Sequence, residues 1–169
     1  MATIILVTGG TRSGKSVRAE TIALSHSGPP VYIATAEFID SAMHARIDIH
    51  RNRRGDAWDV REAPLDLTQA LRETDGRGAR LVDCLTIWLS NMMHHGRDWP
   101  HAIDELCTEL RQQKSPVILV SSEVGLGILP DNALARDFCD AAGTLNQKIA
   151  GIADVVEFVV AGLPLKLKP

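Results

Sequence analysis

The sequence predicts an α/β fold: a mostly parallel sheet with helices on both of its faces. Three observations predict it. Short, unbroken runs of Val, Ile and Leu recur along the chain, at residues 3–8 (TIILVT), 31–35 (VYIAT), 79–83 (ARLVD), 116–121 (PVILVS) and 155–160 (VVEFVV). Runs that do not alternate with polar residues suit strands buried on both faces. Segments of helical periodicity lie between the runs, and parallel neighbours need such crossovers. Turn formers separate the two kinds of segment.

Each element follows in order. The strand at 3–8 leads through a glycine-rich turn into a helix at 17–25, stopped by Gly28-Pro29-Pro30. After the strand at 31–35, helical periodicity runs over 40–54 and ends at Gly55. A helix at 65–73 carries Asp66 at its start, where an acid suits the positive end of the helix dipole. The strand at 79–83 precedes helices at 85–93 and 99–113, the latter with Glu105 and Glu109 on one side. The strand at 116–121 is followed by a long helix at 131–152, and the strand at 155–160 closes the sheet. The tail 163–169 reads equally as another strand or a frayed end. No repeat, linker or low-complexity stretch divides the chain, so residues 1–169 read as one domain.

Composition narrows the function. Hydrophobic residues are 45% of the chain and charged residues 23%, which suits a globular protein with a core. The net charge of −3 offers no global positive field for nucleic acid. Cys84, Cys107 and Cys139 form no CxxC pair, and an odd number argues for buried thiols in a reducing compartment. No apolar stretch reaches the ~20 residues of a membrane span, and no basic leader precedes the first strand. The expectation is a soluble, cytoplasmic protein.

The chemistry starts at Gly9-Gly10-Thr11-Arg12-Ser13-Gly14-Lys15-Ser16. This is the GxxxxGK[ST] pattern of a phosphate-binding P-loop. Glycines let backbone N–H groups close around phosphate oxygens. Lys15 supplies a point charge for the β and γ phosphates, Ser16 a hydroxyl for Mg²⁺, and the following helix its positive end. A buried strand before it and a helix after it supply the context such a loop needs. The fold expectation thereby becomes P-loop NTPase-like. Asp83 ends a strand, where an acid holds Mg²⁺ in many nucleotide-binding folds; a helix cap or turn aspartate is the other reading.

His50 lies in ARIDIHRNRR. Arg46, His50 and Arg53 fall within about 60° on a helical wheel. Flanking guanidinium groups would keep the imidazole neutral and hold a triphosphate against it, which suits a nucleophile on phosphorus. An idle histidine on a solvated basic helix satisfies the same spacing. His26, His44, His94, His95 and His101 show no zinc-type spacing. After the strand at 116–121, Ser122-Glu123-Val124-Gly125-Leu126-Gly127-Ile128-Leu129-Pro130 is either a structural turn or a substrate loop at a strand's carboxyl end.

Taken together, TGGTRSGKS, YIATAE, ARIDIHRNRR, SSEVGLGILP and LARDFCDAAGTLNQ, in this order and nearly end to end, resemble the bifunctional adenosylcobinamide kinase/adenosylcobinamide-phosphate guanylyltransferase family. The resemblance implies two reactions. A nucleoside triphosphate, ATP or GTP, first phosphorylates adenosylcobinamide on its aminopropanol hydroxyl. A histidine then takes GMP from GTP and passes it to adenosylcobinamide phosphate, giving adenosylcobinamide-GDP. The guanylylated histidine falls on His50, and the phosphate contacts on Gly9 to Ser16. Further nucleotide contacts fall on Ala34, Thr35, Ala36, Arg51, Asn52, Arg53, Arg54 and Glu62. The resemblance also implies a homo-oligomer, a trimer in form, with His50 near a subunit boundary. It departs at Asp83, where the family usually has glutamate, and at Ser122, where it commonly has asparagine.

Overall fold

The computed structural model describes residues 2–37 and 57–169. The helix expected over 40–54, with Arg46, His50, Arg51, Asn52, Arg53 and Arg54, lies outside the described residues. The other elements, in chain order, are β1 (Ile4–Gly9), α1 (Lys15–Leu24), β2 (Val31–Ala34), β3 (Asp59–Glu62) and α2 (Leu67–Thr74). They continue with β4 (Arg80–Asp83), α3 (Leu85–His94), α4 (Trp99–Gln112), β5 (Val117–Ser122), α5 (Ala133–Ile152), β6 (Val155–Val160) and β7 (Leu163–Lys168).

The strands form one sheet in the order β3-β2-β4-β5-β1-β6-β7. All pairs are parallel except β6 with β7. Successive residues of a strand point to opposite faces, so the unbroken apolar runs feed two cores. Ile4, Leu6, Val31, Ile33, Val82, Val117 and Leu119 meet α2 to α5 on one face. Ile5, Val7, Tyr32, Leu81, Ile118 and Val120 meet Ala19 and Ala23 of α1 on the other. Helix starts follow local chemistry: the Asp98 side chain accepts from His101 N at α4, and Asn132 Oδ1 accepts from Ala135 N at 2.7 Å at α5. None of the described helices is long and apolar enough to cross a membrane.

Two expectations need correction. β3 was not expected, because its sequence DVRE carries no apolar run and is mostly exposed. It is an edge strand held by the ladder to β2, with Ala34 opposite Glu62, and an edge needs no second buried face. Nor does the run at 155–160 close the sheet. Ala161 (φ 52) and Gly162 (φ 79) form a two-residue turn in the left-handed region, which suits a tight hairpin. The tail then returns as β7, a strand rather than a frayed end.

The lone acid in VVEFVV also has a reason. Glu157 is only 7% exposed, and the Arg18 fork grips it with Nε to Oε2 at 2.7 Å and Nη2 to Oε1 at 2.8 Å. This pair pins α1, the helix that follows the phosphate loop, to β6. The hydrogen bond from Arg18 holds the Glu157 carboxyl below the usual carboxylate range. A carboxyl lowered on folding stabilises fully above its unfolded pKa of about 4.3, and that stability is lost as pH falls through the lower folded pKa. Glu157→Gln should therefore lower stability by about 1.5–3 kcal/mol at neutral pH. In urea titrations the gap to wild type should hold steady above about pH 5 and close below about pH 4.

Candidate active site

The carboxyl ends of the parallel strands gather Gly9, Ala34, Glu62, Asp83 and Ser122 at one edge of the sheet. In open α/β sheets this edge is where ligands bind. The phosphate loop leaves β1 there. Gly14 caps α1 in the left-handed region at φ 96, and Arg12 also sits there at φ 56, an uncommon state for a residue with a Cβ. The Lys15 ammonium reaches back across the loop to Gly10 O at 3.1 Å, so its charge lies over the bowl before any ligand arrives.

The loop is braced from below by the β6–β7 hairpin. Gly162 N donates to Ser13 O at 2.8 Å. A Cβ at Gly14 would lie 3.1 Å from Gly162 Cα, and one at Gly9 would lie 2.6 Å from Val159 O and 2.5 Å from Ser13 Oγ. Ser13 is buried, and its hydroxyl has no hydrogen-bond partner among the described residues. That hydroxyl is packed beneath Gly9, so Ser13 supports the loop with its side chain. Thr11 and Arg12 are exposed, and Gly10 and Ser16 are half-buried at the rim.

Asp83, at the end of β4, accepts from the Tyr32 hydroxyl at 3.0 Å through Oδ2, leaving Oδ1 for another partner. Tyr32 in turn meets the edge of Trp58, ring centroids 5.9 Å apart. Burial, with the Asp83 charge adding to it, pushes the neighbouring Cys84 thiol up to about 11, while the nearby Lys15 charge opposes this. Cys84 therefore stays a neutral thiol. No described cysteine is paired; Cys84 and Cys107 are buried as expected, and Cys139 is half-buried.

Thr35 is fully buried, and its side chain is engaged inside the protein. Its Oγ1 donates to Cys84 O and accepts from Cys84 N, both at 2.8 Å. Its carbonyl accepts from Asn91 Nδ2 at 2.8 Å. Thr35 thus fixes the turn after β4, while Ala34 and Ala36 remain half-buried beside it. Glu62 is exposed at the sheet edge, four strand spacings from Gly9, roughly 19 Å at ~4.8 Å per strand. It is out of reach of a phosphate seated in the loop.

Sequence reasoning missed a polar network that ties the second glycine loop to the cradle. Glu123 N donates to Gly9 O at 3.2 Å. Asn146 of α5 donates to Glu123 Oε1 at 3.1 Å and accepts from Ser121 Oγ at 2.6 Å. Ser122 N donates to Thr86 Oγ1 at 2.7 Å. The available signal was Asn146 itself, a polar residue one position after the fully buried Leu145.

A braced glycine loop after an interior strand, with a carboxylate at the end of a parallel strand two places along the sheet, defines a P-loop nucleotide-binding fold. The backbone agrees: the flagellar accessory protein FlaH from Methanocaldococcus jannaschii superposes over 98% of this chain and 78% of its own with a TM-score of 0.58. At 14% identity that likeness speaks of fold alone. Residues 5–167 match the family described as cobinamide kinase / cobinamide phosphate guanyltransferase. The bifunctional adenosylcobalamin biosynthesis protein CobP of Pseudomonas aeruginosa is 44% identical, over 96% of each chain. The protein CobU of Salmonella typhimurium, named in the same words, is 40% identical over 98% of this chain and 99% of its own. The chain belongs to this enzyme family.

The cradle's geometry gives a pair of expectations. Lys15→Ala removes a charged contact of about 2–3 kcal/mol, so triphosphate affinity should fall between about 30- and 150-fold. Gly14→Ala adds a methyl 3.1 Å from Gly162 Cα at a backbone φ of 96 and should also weaken nucleotide binding. In Gly14→Ala the loop moves off its hairpin, so the melting temperature should fall as well; in Lys15→Ala it should not. Nucleotide titration and thermal melts of both variants check this.

Proposed function

We propose that the chain is an adenosylcobinamide kinase and adenosylcobinamide-phosphate guanylyltransferase, working through a covalent guanylyl-histidine at His50. The full-length family match, with the phosphate cradle intact at the carboxyl edge of the sheet, carries this reading. Residues 1–169 act in it as one domain, in the cytoplasm, as a homo-oligomer. Its partners are ATP, GTP and the corrinoid, with no nucleic acid and no membrane.

In the first reaction, Lys15 and the N–H groups of Gly9 to Ser16 hold the donor's phosphates while the acceptor hydroxyl oxygen attacks the γ-phosphorus. The bond from that phosphorus to the β–γ bridging oxygen breaks, the nucleoside diphosphate leaves and the hydroxyl proton passes to water. This needs no protein nucleophile. Mg²⁺ is the proposed cofactor, and when bound it would neutralise charge on the phosphate oxygens. The donors present fit it: the Ser16 hydroxyl and the Asp83 carboxylate are hard oxygen ligands, and Oδ1 of Asp83 is not taken by Tyr32. No group of three or more His, Cys, Asp or Glu side chains forms a cage among the described residues. A cation shared between one or two protein oxygens and phosphate needs none.

In the second reaction an imidazole nitrogen of His50 attacks the α-phosphorus of GTP. A P–N bond forms, the bond to the β-phosphate oxygen breaks, and pyrophosphate leaves. A phosphate oxygen of adenosylcobinamide phosphate then attacks the same phosphorus. The P–N bond breaks, the imidazole recovers its electron pair, and adenosylcobinamide-GDP is released. Arg51, Arg53 and Arg54, with Asn52, are assigned to the charge building on the α-phosphate and pyrophosphate. Ala34, Ala36 and Glu62 are assigned to the rest of the nucleotide, and Thr35, buried between the two alanines, to positioning that segment.

Two experiments test the reading. His50→Ala should abolish labelling by α-labelled GTP and keep measurable kinase activity. The wild-type adduct should be acid-labile and alkali-stable, and pyrophosphate should discharge it. An adduct that survives in His50→Ala moves the nucleophile elsewhere, and a wild type with kinase activity but no adduct is a kinase without the covalent step. Separately, Asp83→Asn and Ser16→Ala should each raise the Mg²⁺ concentration for half-maximal activity; a wild-type titration in Asp83→Asn would leave that residue a purely structural role.

A further inference from the structure

We propose that the groove between the 124–130 loop and helix α5 is the seat of the corrin ring of the acceptor. This inference rests on the kinase/guanylyltransferase reading and adds to it the residues that hold the ring. The groove has a volume of about 550 Å³, within the size range of small-molecule sites. One wall is the loop backbone with Ile128, Leu129 and Pro130; the other is α5 at Asp140, Gly143 and Gln147.

Its position follows from the cradle. Glu123 N is bonded to Gly9 O at 3.2 Å, so the loop leaves the phosphate site one residue before Val124, the groove's first lining residue. The groove thus lies next to the site of phosphoryl transfer without being part of it. That is the arrangement an acceptor requires when its reacting hydroxyl sits on a side arm and its bulk is a ring some distance away.

The chemistry of the walls selects the ring. Ile128, 99% exposed, and Leu129, 71% exposed, line the groove, and Leu126 and Leu134, also more than 70% exposed, flank it in the chain. Single exposed apolar residues are ordinary, but four within one loop and the first turn of its helix form a patch. A corrin is a broad ring with apolar faces and a rim of carboxamides. The patch suits the face, and Asp140, Thr144 and Gln147 offer acceptors and donors to the rim.

Gly143 is the most telling position. Glycine inside a helix costs about 1 kcal/mol relative to alanine. Among the described residues, nothing outside its own helical turn lies within 4 Å of where its Cβ would stand, so packing among them does not require it. The missing side chain leaves room in the groove.

That position also supplies the test. Gly143→Leu has open space at its Cβ among the described residues and improves helix propensity, so it should fold at least as stably as wild type while its side chain fills the groove. In kinase assays its KM for adenosylcobinamide should rise at least tenfold, with the KM for ATP or GTP unchanged. Ile128→Ser/Leu129→Ser should act in the same direction. Equilibrium dialysis, read by the corrinoid's own visible absorbance, should show weaker binding in both variants. Equal binding and equal acceptor KM in wild type and Gly143→Leu would overturn the proposal, as would a wild type that binds no corrinoid. A change in sedimentation without a change in acceptor KM would make the face a contact between copies, which also overturns it. A wild type that binds adenosylcobinamide but does not phosphorylate it refutes the kinase reading and leaves the groove standing if Gly143→Leu weakens that binding.

Discussion

The phosphate loop can lie where it does only because Gly14, at φ 96, carries no side chain against the β6–β7 hairpin. Gly14 passes so close to Gly162 that a Cβ would be 3.1 Å from the opposing Cα, and the hairpin's N–H closes on Ser13 O. A P-loop must present backbone N–H groups inward, which leaves its carbonyls pointing out and in need of partners. The β6–β7 turn supplies one. In this protein the last strand pair is therefore part of the nucleotide site, although it lies 150 residues from the loop in sequence. The Arg18–Glu157 pair repeats the connection one helical turn further along α1. Loop and helix are each tied to β6, and the dipole of α1 is held in line with the bowl.

A second brace runs on the other side of β1. β5 lies between β1 and β4, and the network of Thr86, Ser121, Ser122, Glu123 and Asn146 joins the ends of three elements there. Its members are satisfied by one another, which buried polar groups require. Ser122 stands where the resembling sequences commonly place asparagine, and its N–H and carbonyl, not its side chain, make the contacts to Thr86 and Asn146. The backbone role explains why serine is accommodated at this position.

How much was legible in the sequence follows from what each element is buried against. TIILVT, VYIAT, ARLVD and PVILVS feed two cores at once, so their composition alone marks them, and the structure displaces their ends by no more than one residue. DVRE has one ladder and no buried face, and composition carries no sign of it. LPLKLK alternates as a strand would, but Leu163, Leu165 and Leu167 stay exposed, so no buried face separates an edge strand from a loose tail. The phosphate loop was legible because its chemistry demands particular residues at particular spacings. The contacts of Tyr32 with Asp83 and of Asn146 with Glu123 were not, since each joins residues whose proximity only the topology decides.

The sheet order also constrains how the proposed reactions share one edge. Asp83 lies two strands from Gly9 and Glu62 lies four, or roughly 10 and 19 Å across the sheet. On the proposed reading a phosphate held by Lys15 shares a cation with Asp83, and α1 packs on β5 and β4 as well as on β1, which brings the two towards each other. That phosphate cannot at the same time touch Glu62. The residues assigned to nucleotide thus span the whole edge from β1 to β3. The loop from Glu123 leaves β5, inside that span, and runs to α5, which packs on the sheet face opposite α1. A donor laid along this edge on the α1 face leaves the α5 face clear for the acceptor. Opposed approach of donor and acceptor to one phosphorus is what in-line transfer asks of a site.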